Sequence, residues 1–230
     1  MPKHSKRFLA AATQVDKNKV YSLVEAVEIL KQTATAKFDE SFEAHFRIGI
    51  DPKKGEQQIR STVILPHGIG KKVRVAVFAA GDKAKEAKEA GADLVGEVDL
   101  IEEIKKSGKC DFDVAVATPD MMKPMAVIAR ILGPKGLMPS PKNETITTNV
   151  KKTVEELKKG KIAFKNDDTA NVHQVIGKVS FDAAQIADNF RAFMEALEKA
   201  KPDTSKGVFI KSISLTTTMG PGLRIDLKNI

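Results

Sequence analysis

The chain has 230 residues, 42% hydrophobic and 30% charged, a composition that excludes a disordered chain and allows one large domain or two modest ones. Its 38 Lys and Arg against 30 Asp and Glu leave a formal charge of +8, a surplus that points to a polyanionic partner, nucleic acid being the commonest. The single cysteine, Cys110, excludes an intrachain disulfide and a cysteine-held structural zinc, and 5% aromatics with no Trp and one Tyr, Tyr21, leave too few rings for an aromatic stacking platform. No apolar run reaches the about eighteen residues of a membrane span. The opening MPKHSKRFLAAATQV, with only a short apolar patch from Phe8 to Ala12, is not a convincing secretory signal either. A cytoplasmic chain with no membrane partner is expected.

In chain order, the first signal is Ser22 with Glu25 three residues on, followed by Leu23, Ala26, Val27, Leu30 and Ala34 on one stripe: a capping box opening an amphipathic helix. After Lys37 the period changes to two. Phe38, Phe42, Ala44, Phe46, Ile48 and Ile50 share one parity and Lys37, Asp39, Ser41, Glu43, His45 and Arg47 the other, which predicts a half-buried strand with an open polar side. Asp51 to Gly55 reads as a turn and Ile59 to Leu65 as a strand returning antiparallel to the first.

The style then shifts. Val73 to Ala79, Leu94 to Gly96 and Val114 to Thr118 are apolar runs separated by helical segments, Asp82 to Ala90 and Asp99 to Ser107, each opening on an Asp suited to cap it. This is the pattern of a parallel sheet covered by helices on both faces. One further helix is predicted from Asp120 through Met121, Met125, Ile128 and Leu132 to the stop at Gly133-Pro134, and another from Val150 to Lys159. Beyond Gly160 the antiparallel style returns: Lys161 to Phe164, Val172 to Val179, a helix carrying Ile186, Phe190, Phe193 and Leu197 up to Pro202, and a last strand, Gly207 to Met219, prolonged by LRIDL past a Gly-Pro-Gly turn. The expected fold is therefore α/β and α+β in two domains. A discontinuous α+β domain with an antiparallel sheet takes residues 1–68 and 161–230, and an α/β domain is inserted as 69–160, at loops where insertion is tolerated.

Enzyme signatures are thin. GIGKK (Gly68 to Lys72) has the flavour of a phosphate loop but lacks the full spacing and runs into a strand. The first strand-to-helix turn of the middle segment, FAAGD, lacks a dinucleotide glycine fingerprint. His4, His45, His67 and His173 lie in different segments without metal-ligand spacing, and Asp111, Asp113, Asp167 and Asp168 suit caps and turns. No catalytic residue, metal or cofactor is expected; a nucleotide-dependent enzyme and a protein-interaction module remain as alternatives.

The terminal strand is more informative. Ser212, Ser214, Thr216 and Thr218 share one parity and Ile213 and Leu215 the other, so a row of small hydroxyls faces away from the core. Such hydroxyls can donate to phosphate or 2′-OH oxygens, Gly220 and Gly222 admit a close backbone, and Met219 can lie against a ribose or base. The same residues also suit an ordinary strand and turn. Lys37, Ser41, His45 and Arg47, together with Lys165 and Asn166 of KIAFKND, extend this candidate surface, and Lys135 and Lys142 in ILGPKGLMPSPKN form a candidate second contact.

ATAKFDE (Ala34 to Glu40), LPHGIGK (Leu65 to Lys71), ATPDMM (Ala117 to Met122), ILGPKGLMPSPK (Ile131 to Lys142) and TTTMGPG (Thr216 to Gly222) together resemble the bacterial large-subunit ribosomal proteins of the L-one family, which form the mobile stalk. The resemblance implies a first domain built from both chain ends carrying the main RNA site and an inserted Rossmann-like, three-layer α/β domain. It further implies binding to 23S ribosomal RNA, a stalk that moves with deacylated transfer RNA leaving the exit (E) site, and repression of the chain's own operon through its messenger RNA. By motif, Phe38, Ser41, Lys165, Ser212, Thr216, Thr218, Met219 and Gly220 would lie on the ribosomal RNA; Ser41 stands where some relatives have Thr, and the hydroxyl is kept.

Overall fold

Hydrogen-bonded caps and period-two alternation decide where the elements begin. In the computed structural model, which describes residues 5–16, 18–205 and 207–227, a short helix α1 (Lys6–Thr13) is capped by the Ser5 hydroxyl, and a two-residue strand β1 (Val20–Tyr21) follows. The Ser22 hydroxyl then accepts from the Glu25 amide, and the Glu25 carboxylate accepts from the Ser22 amide, which opens α2 (Leu23–Thr33) with the expected box. Leu23, Ala26, Val27 and Leu30 are all buried along one stripe.

Strand β2 (Ser41–Ile48) buries Phe42, Ala44, Phe46 and Ile48 and leaves the alternate residues open. It starts later than the alternation suggests. Phe38, expected on the core parity, is 55% exposed, because residues 35–40 form a loop and the ladder begins only at Ser41, where Lys178 is its partner. After β3 (Arg60–Ile64) the chain enters β4 (Val75–Phe78), α3 (Asp82–Glu89), β5 (Leu94–Gly96), α4 (Val98–Ser107) and β6 (Val114–Ala117). The expected Asp caps are absent: Gly81 and Glu97 hold the cap positions, and Asp82 and Asp99 lie inside the first turns, where their charge faces the helix N-terminus. The helix predicted from Asp120 is instead a series of short turns that includes α5 (Met122–Met125) and α6 (Ala129–Leu132). Pro124 withholds a donor there, yet Met121, Met125, Ile128 and Leu132 are all buried as the spacing requires.

Helix α7 (Val150–Lys158) leads into β7 (Lys161–Lys165), β8 (Asn171–Lys178), α8 (Ala183–Lys199), β9 (Ile210–Thr217) and β10 (Leu223–Ile225). Among the described residues one sheet has the order β1-β10-β9-β2-β8, a second pairs β3 with β7, and a third has the order β5-β4-β6. Two expectations are corrected here. β3 does not return beside β2, because both edges of β2 are taken, by β8 and by β9. LRIDL does not prolong β9; the turn at residues 220–222 reverses the chain, and β10 lies antiparallel to β9.

The chain divides into two compact units, Met1–Gly70 with Ile162–Ile230, and Lys71–Lys161. In the first, α2 and α8 cover one face of the five-stranded sheet, with Phe46, Phe190 and Phe193 packed together. In the second, β4 is parallel to both neighbours. Its alternate residues feed opposite clusters: Ala76 and Phe78 pack with Ile101, Ile104 and Met125, while Val75 and Val77 pack with Ala87, Val150 and Val154. Lys161, where the chain passes back to the first unit, is buried and paired with both Glu144 and Glu156; those two hydrogen bonds outweigh the burial and hold its ammonium above the usual lysine range.

Asn189 ties the outgoing segment to the first core. Fully buried on α8, it accepts from the His67 amide at 3.0 Å and donates to the carbonyls of Gly68 and Ile176, each at 2.8 Å. Asn189→Leu strands three backbone groups, and the expected loss is about 3 kcal/mol, read as a lower urea midpoint for the first unit; an unchanged midpoint would show that the clamp is dispensable.

Candidate nucleic-acid interface

The face of the five-stranded sheet opposite α2 and α8 is polar, because β2 and β9 both send their non-core residues to it. Register pairs lay these out in rows. Val20, Arg224, Ser214, His45 and His173 succeed one another across β1, β10, β9, β2 and β8. Arg47 stands between Ser212 and Asn171, and Glu43 between Thr216 and Val175. Two histidines that the sequence separates by 128 positions are thus cross-strand neighbours, their Nδ1 atoms 2.8 Å apart.

The four hydroxyls of β9 and its turn divide into two kinds. Those of Ser212 and Ser214 are engaged by no described residue and face outward. The Thr216 hydroxyl lies among the carbonyls of Thr217, Gly220 and Pro221 at 3.0, 3.3 and 3.2 Å. The Thr218 hydroxyl accepts from the Ser41 amide at 3.0 Å and donates to the Ser41 carbonyl. The row lies on the outward side as its parity requires, but its members differ: two meet no described partner, and two shape the turn that follows. Ser41 accepts a bond from Lys178 Nζ at 2.8 Å and keeps its own hydrogen to give.

That turn is held from beneath by Glu40, which the sequence reading passed over. Only 2% exposed, its carboxylate accepts from the Ala36 amide at 3.2 Å and the Met219 amide at 3.0 Å, with Arg7 at 3.8 Å. One buried carboxylate thereby joins the loop bearing Lys37 and Phe38 to the turn bearing Met219 and Gly220. Phe38 and Met219 are left 55% and 47% exposed, an unusual state for side chains of their size. Asp39 secures the other side of the loop, accepting from the Ser180 amide and hydroxyl. The signal was available: Glu40 is an acid on the core parity of an apolar alternation. Gly220 closes the turn for a steric reason, since a Cβ there would come within 2.3 Å of the buried Thr217 Oγ1.

The remaining candidates are distributed unevenly. Lys165 is exposed at the end of β7, and the next residue, Asn166, bridges to Val172 beside His173. The Asn166 amide is spent inside the fold, its Oδ1 accepting from the Ile59 amide at 2.7 Å and its Nδ2 donating to the Asp167 carbonyl. Lys135 and Lys142 belong to the second unit, where both are exposed and Lys135 donates to the Gly108 carbonyl at the end of α4. His67 pairs with Asp188, and His4 lies outside the described residues. In the glycine-bearing stretch before β4, Lys71 is bonded to Asp113 at 2.7 Å, an internal ion pair that occupies the cation a phosphate loop would need. Among the described residues no group of three or more His, Cys, Asp or Glu side chains could hold a metal ion, and no helix is long and apolar enough to cross a membrane.

Against known families, the model described as the ribosomal protein L1p/L10e family matches residues 30–221, a stretch that runs through both compact units.

Gly220→Ala is expected to destabilise the first unit by about 1–3 kcal/mol, the usual range for an overpacked site, in chemical denaturation; a variant as stable as the parent would mean that Thr217 can turn away. Asp167 supplies a pH dependence. Burial acts to raise its pKa but is outweighed by bonds from the amides and side chains of Asn171 and Thr169, which hold the carboxyl well below the usual range. This stabilisation is complete above the ordinary aspartate pKa of about 4 and lost as pH falls through and below it. Asp167→Asn is therefore expected to lower the urea midpoint near neutrality, and the gap to the parent is expected to be smaller, though still present, at about pH 3. A gap of equal size at both pH values would rule the linkage out.

Proposed function

We propose that this chain, which belongs to the ribosomal protein L1p/L10e family and so is a structural constituent of the large ribosomal subunit, binds 23S ribosomal RNA through the polar face of its five-stranded sheet. The observation that carries the reading is the composition of that face: outward hydroxyls at Ser212 and Ser214, flanked by Arg47 and Arg224, end in a turn in which Glu40 holds the Met219 amide and Gly220 donates to the Thr217 carbonyl. Arg and Lys supply salt-sensitive attraction to phosphate, and hydroxyls on a paired β-ladder recognise the shape of a folded ribose-phosphate backbone. Because the ladder is formed before the RNA arrives, little conformational entropy is lost on docking, which offsets the scarcity of aromatic rings.

In this reading the first compact unit is the RNA-binding domain, and the second is the inserted Rossmann-like domain, which adds Lys135 and Lys142 as a further contact. Lys37, Phe38, Ser41, His45, Lys165, Ser212, Ser214, Met219 and Gly220 touch RNA. Thr216, Thr218 and Asn166 serve mainly by shaping the surface, since their polar groups are bonded within the chain. The protein acts in the cytoplasm as part of the mobile stalk, assists release of deacylated transfer RNA from the E site and represses its own operon by binding an element of the messenger RNA similar to the ribosomal site. None of these roles is catalytic.

Filter binding to a 23S fragment carrying the stalk junction tests this. With about six phosphates neutralised, log K is expected to fall with log salt at a slope of about −4 to −5, and Arg224→Gln to reduce the magnitude of the slope by about one. Ser214→Ala, which removes an outward donor, is expected to weaken binding by about 1 kcal/mol at unchanged slope. Binding unaffected by both substitutions in folded variants would move the RNA to another surface.

A further inference from the structure

The histidine pair in the middle of the open face has a chemistry of its own. His45 and His173 meet edge to face with ring centroids 4.9 Å apart and Nδ1 atoms 2.8 Å apart. At that distance one hydrogen lies between the two nitrogens, one ring donating and the other accepting. When both rings are neutral, the donor ring has a bare lone pair on its outward Nε2. One added proton fills that position, so that both Nε2 atoms present N–H groups while the inner bond persists as an imidazolium–imidazole contact. A further proton would set N–H against N–H and break the pair.

The surroundings act on the added proton from both sides, the carboxylates near the outward nitrogens favouring it and burial of His45 opposing it. His45 Nε2 lies 4.0 Å from Glu43, and His173 Nε2 lies 3.5 Å from Asp167, a carboxylate already committed to Thr169 and Asn171. On the same face stand Arg47 along β2, the neutral Ser214 on β9 and Arg224 beyond it on β10, with Lys165 at the end of β7 and Lys178 at the end of β8. Burial, and then His173 itself, hold the His45 imidazole below its ordinary pKa, against the pull of Glu43.

We propose that the His45–His173 pair is a proton-linked phosphate contact that takes up a proton from solvent when an RNA phosphodiester settles over the Ser214 row. The inference rests on the RNA reading above and adds to it a pH dependence that a surface built only from Arg, Lys and hydroxyl groups lacks. Proton uptake and affinity are linked, so affinity rises as pH falls, by at most about tenfold per pH unit for one proton.

The test uses the full chain and the same 23S fragment at fixed salt. Filter binding at about pH 8 and about pH 6 is paired with calorimetry in two buffers of different ionisation enthalpy, which counts protons directly. The expected result is an affinity about tenfold higher at the lower pH, with an uptake that averages about half a proton per complex across the two pH values. In the His45→Gln/His173→Gln double variant both the uptake and the pH dependence should vanish; if melting shows that variant to be unfolded, His173→Gln alone is read in the same way. Tight RNA binding with no proton uptake by the parent, or uptake that persists in the folded variant, would overturn the inference while leaving the RNA reading standing. Failure of the parent to bind the fragment at either pH would overturn the RNA reading and this inference with it.

Discussion

The pairing of β2 with β9 is the constraint from which the rest of the first unit follows. It joins Ser41 to Thr218 across 177 positions of chain, so both ends must be in place before the ladder can form. Closing so long a loop costs little more than closing a moderately long one, since the entropic cost grows only with the logarithm of length. A separate compact unit can therefore occupy the interval. With β8 on its other edge, β2 is paired along both sides. Its two faces then divide the chemistry: phenyl and aliphatic groups go inward against α2 and α8, and ionisable and hydroxyl groups outward.

That division makes the outer face a rigid surface. Most of its positioning bonds run to the backbone, and the least replaceable is the Glu40 carboxylate, which is nearly inaccessible to water and accepts from amides in two different loops. A buried carboxylate needs such donors to offset its desolvation, and here they come from the segments that expose Phe38 and Met219. Those exposed apolar side chains thus sit on a braced framework. The hydroxyls follow the same economy: Thr216 and Thr218 hold the turn in shape, and Ser212 and Ser214, on the regular part of the ladder, stay available to a ligand.

Much of this was legible beforehand. The Ser22 capping box, the alternation from Phe42 to Ile48, the apolar runs of β4 and β6 and the stripe from Ile186 to Leu197 all appear as read, because each depends on residues close in sequence. Most of the misreadings share a cause. The partner of β3, the reversal into β10 and the late start of β2 each depend on which distant backbone pairs at a position, whereas the first turns of α3 and α4 differ by a shift of one or two residues at the cap. The site divides along the same line. The outward parity of Ser212 and Ser214 was plain from spacing, whereas Glu40, the contact of His45 with His173 and the inward commitments of Thr218 and Asn166 are register facts.

Hydrophobic period, capping residues, net charge and the parity of the last strand were determined by the amino-acid sequence alone, since they are properties of neighbours along the chain and of the side chains themselves. Which hydroxyls remain free, which carboxylate is buried and which two imidazoles share a hydrogen were decided only by the tertiary structure. The reason is that a β-ladder brings together residues more than a hundred positions apart with ångström accuracy, and a shift of one residue would have turned every one of them to the other face.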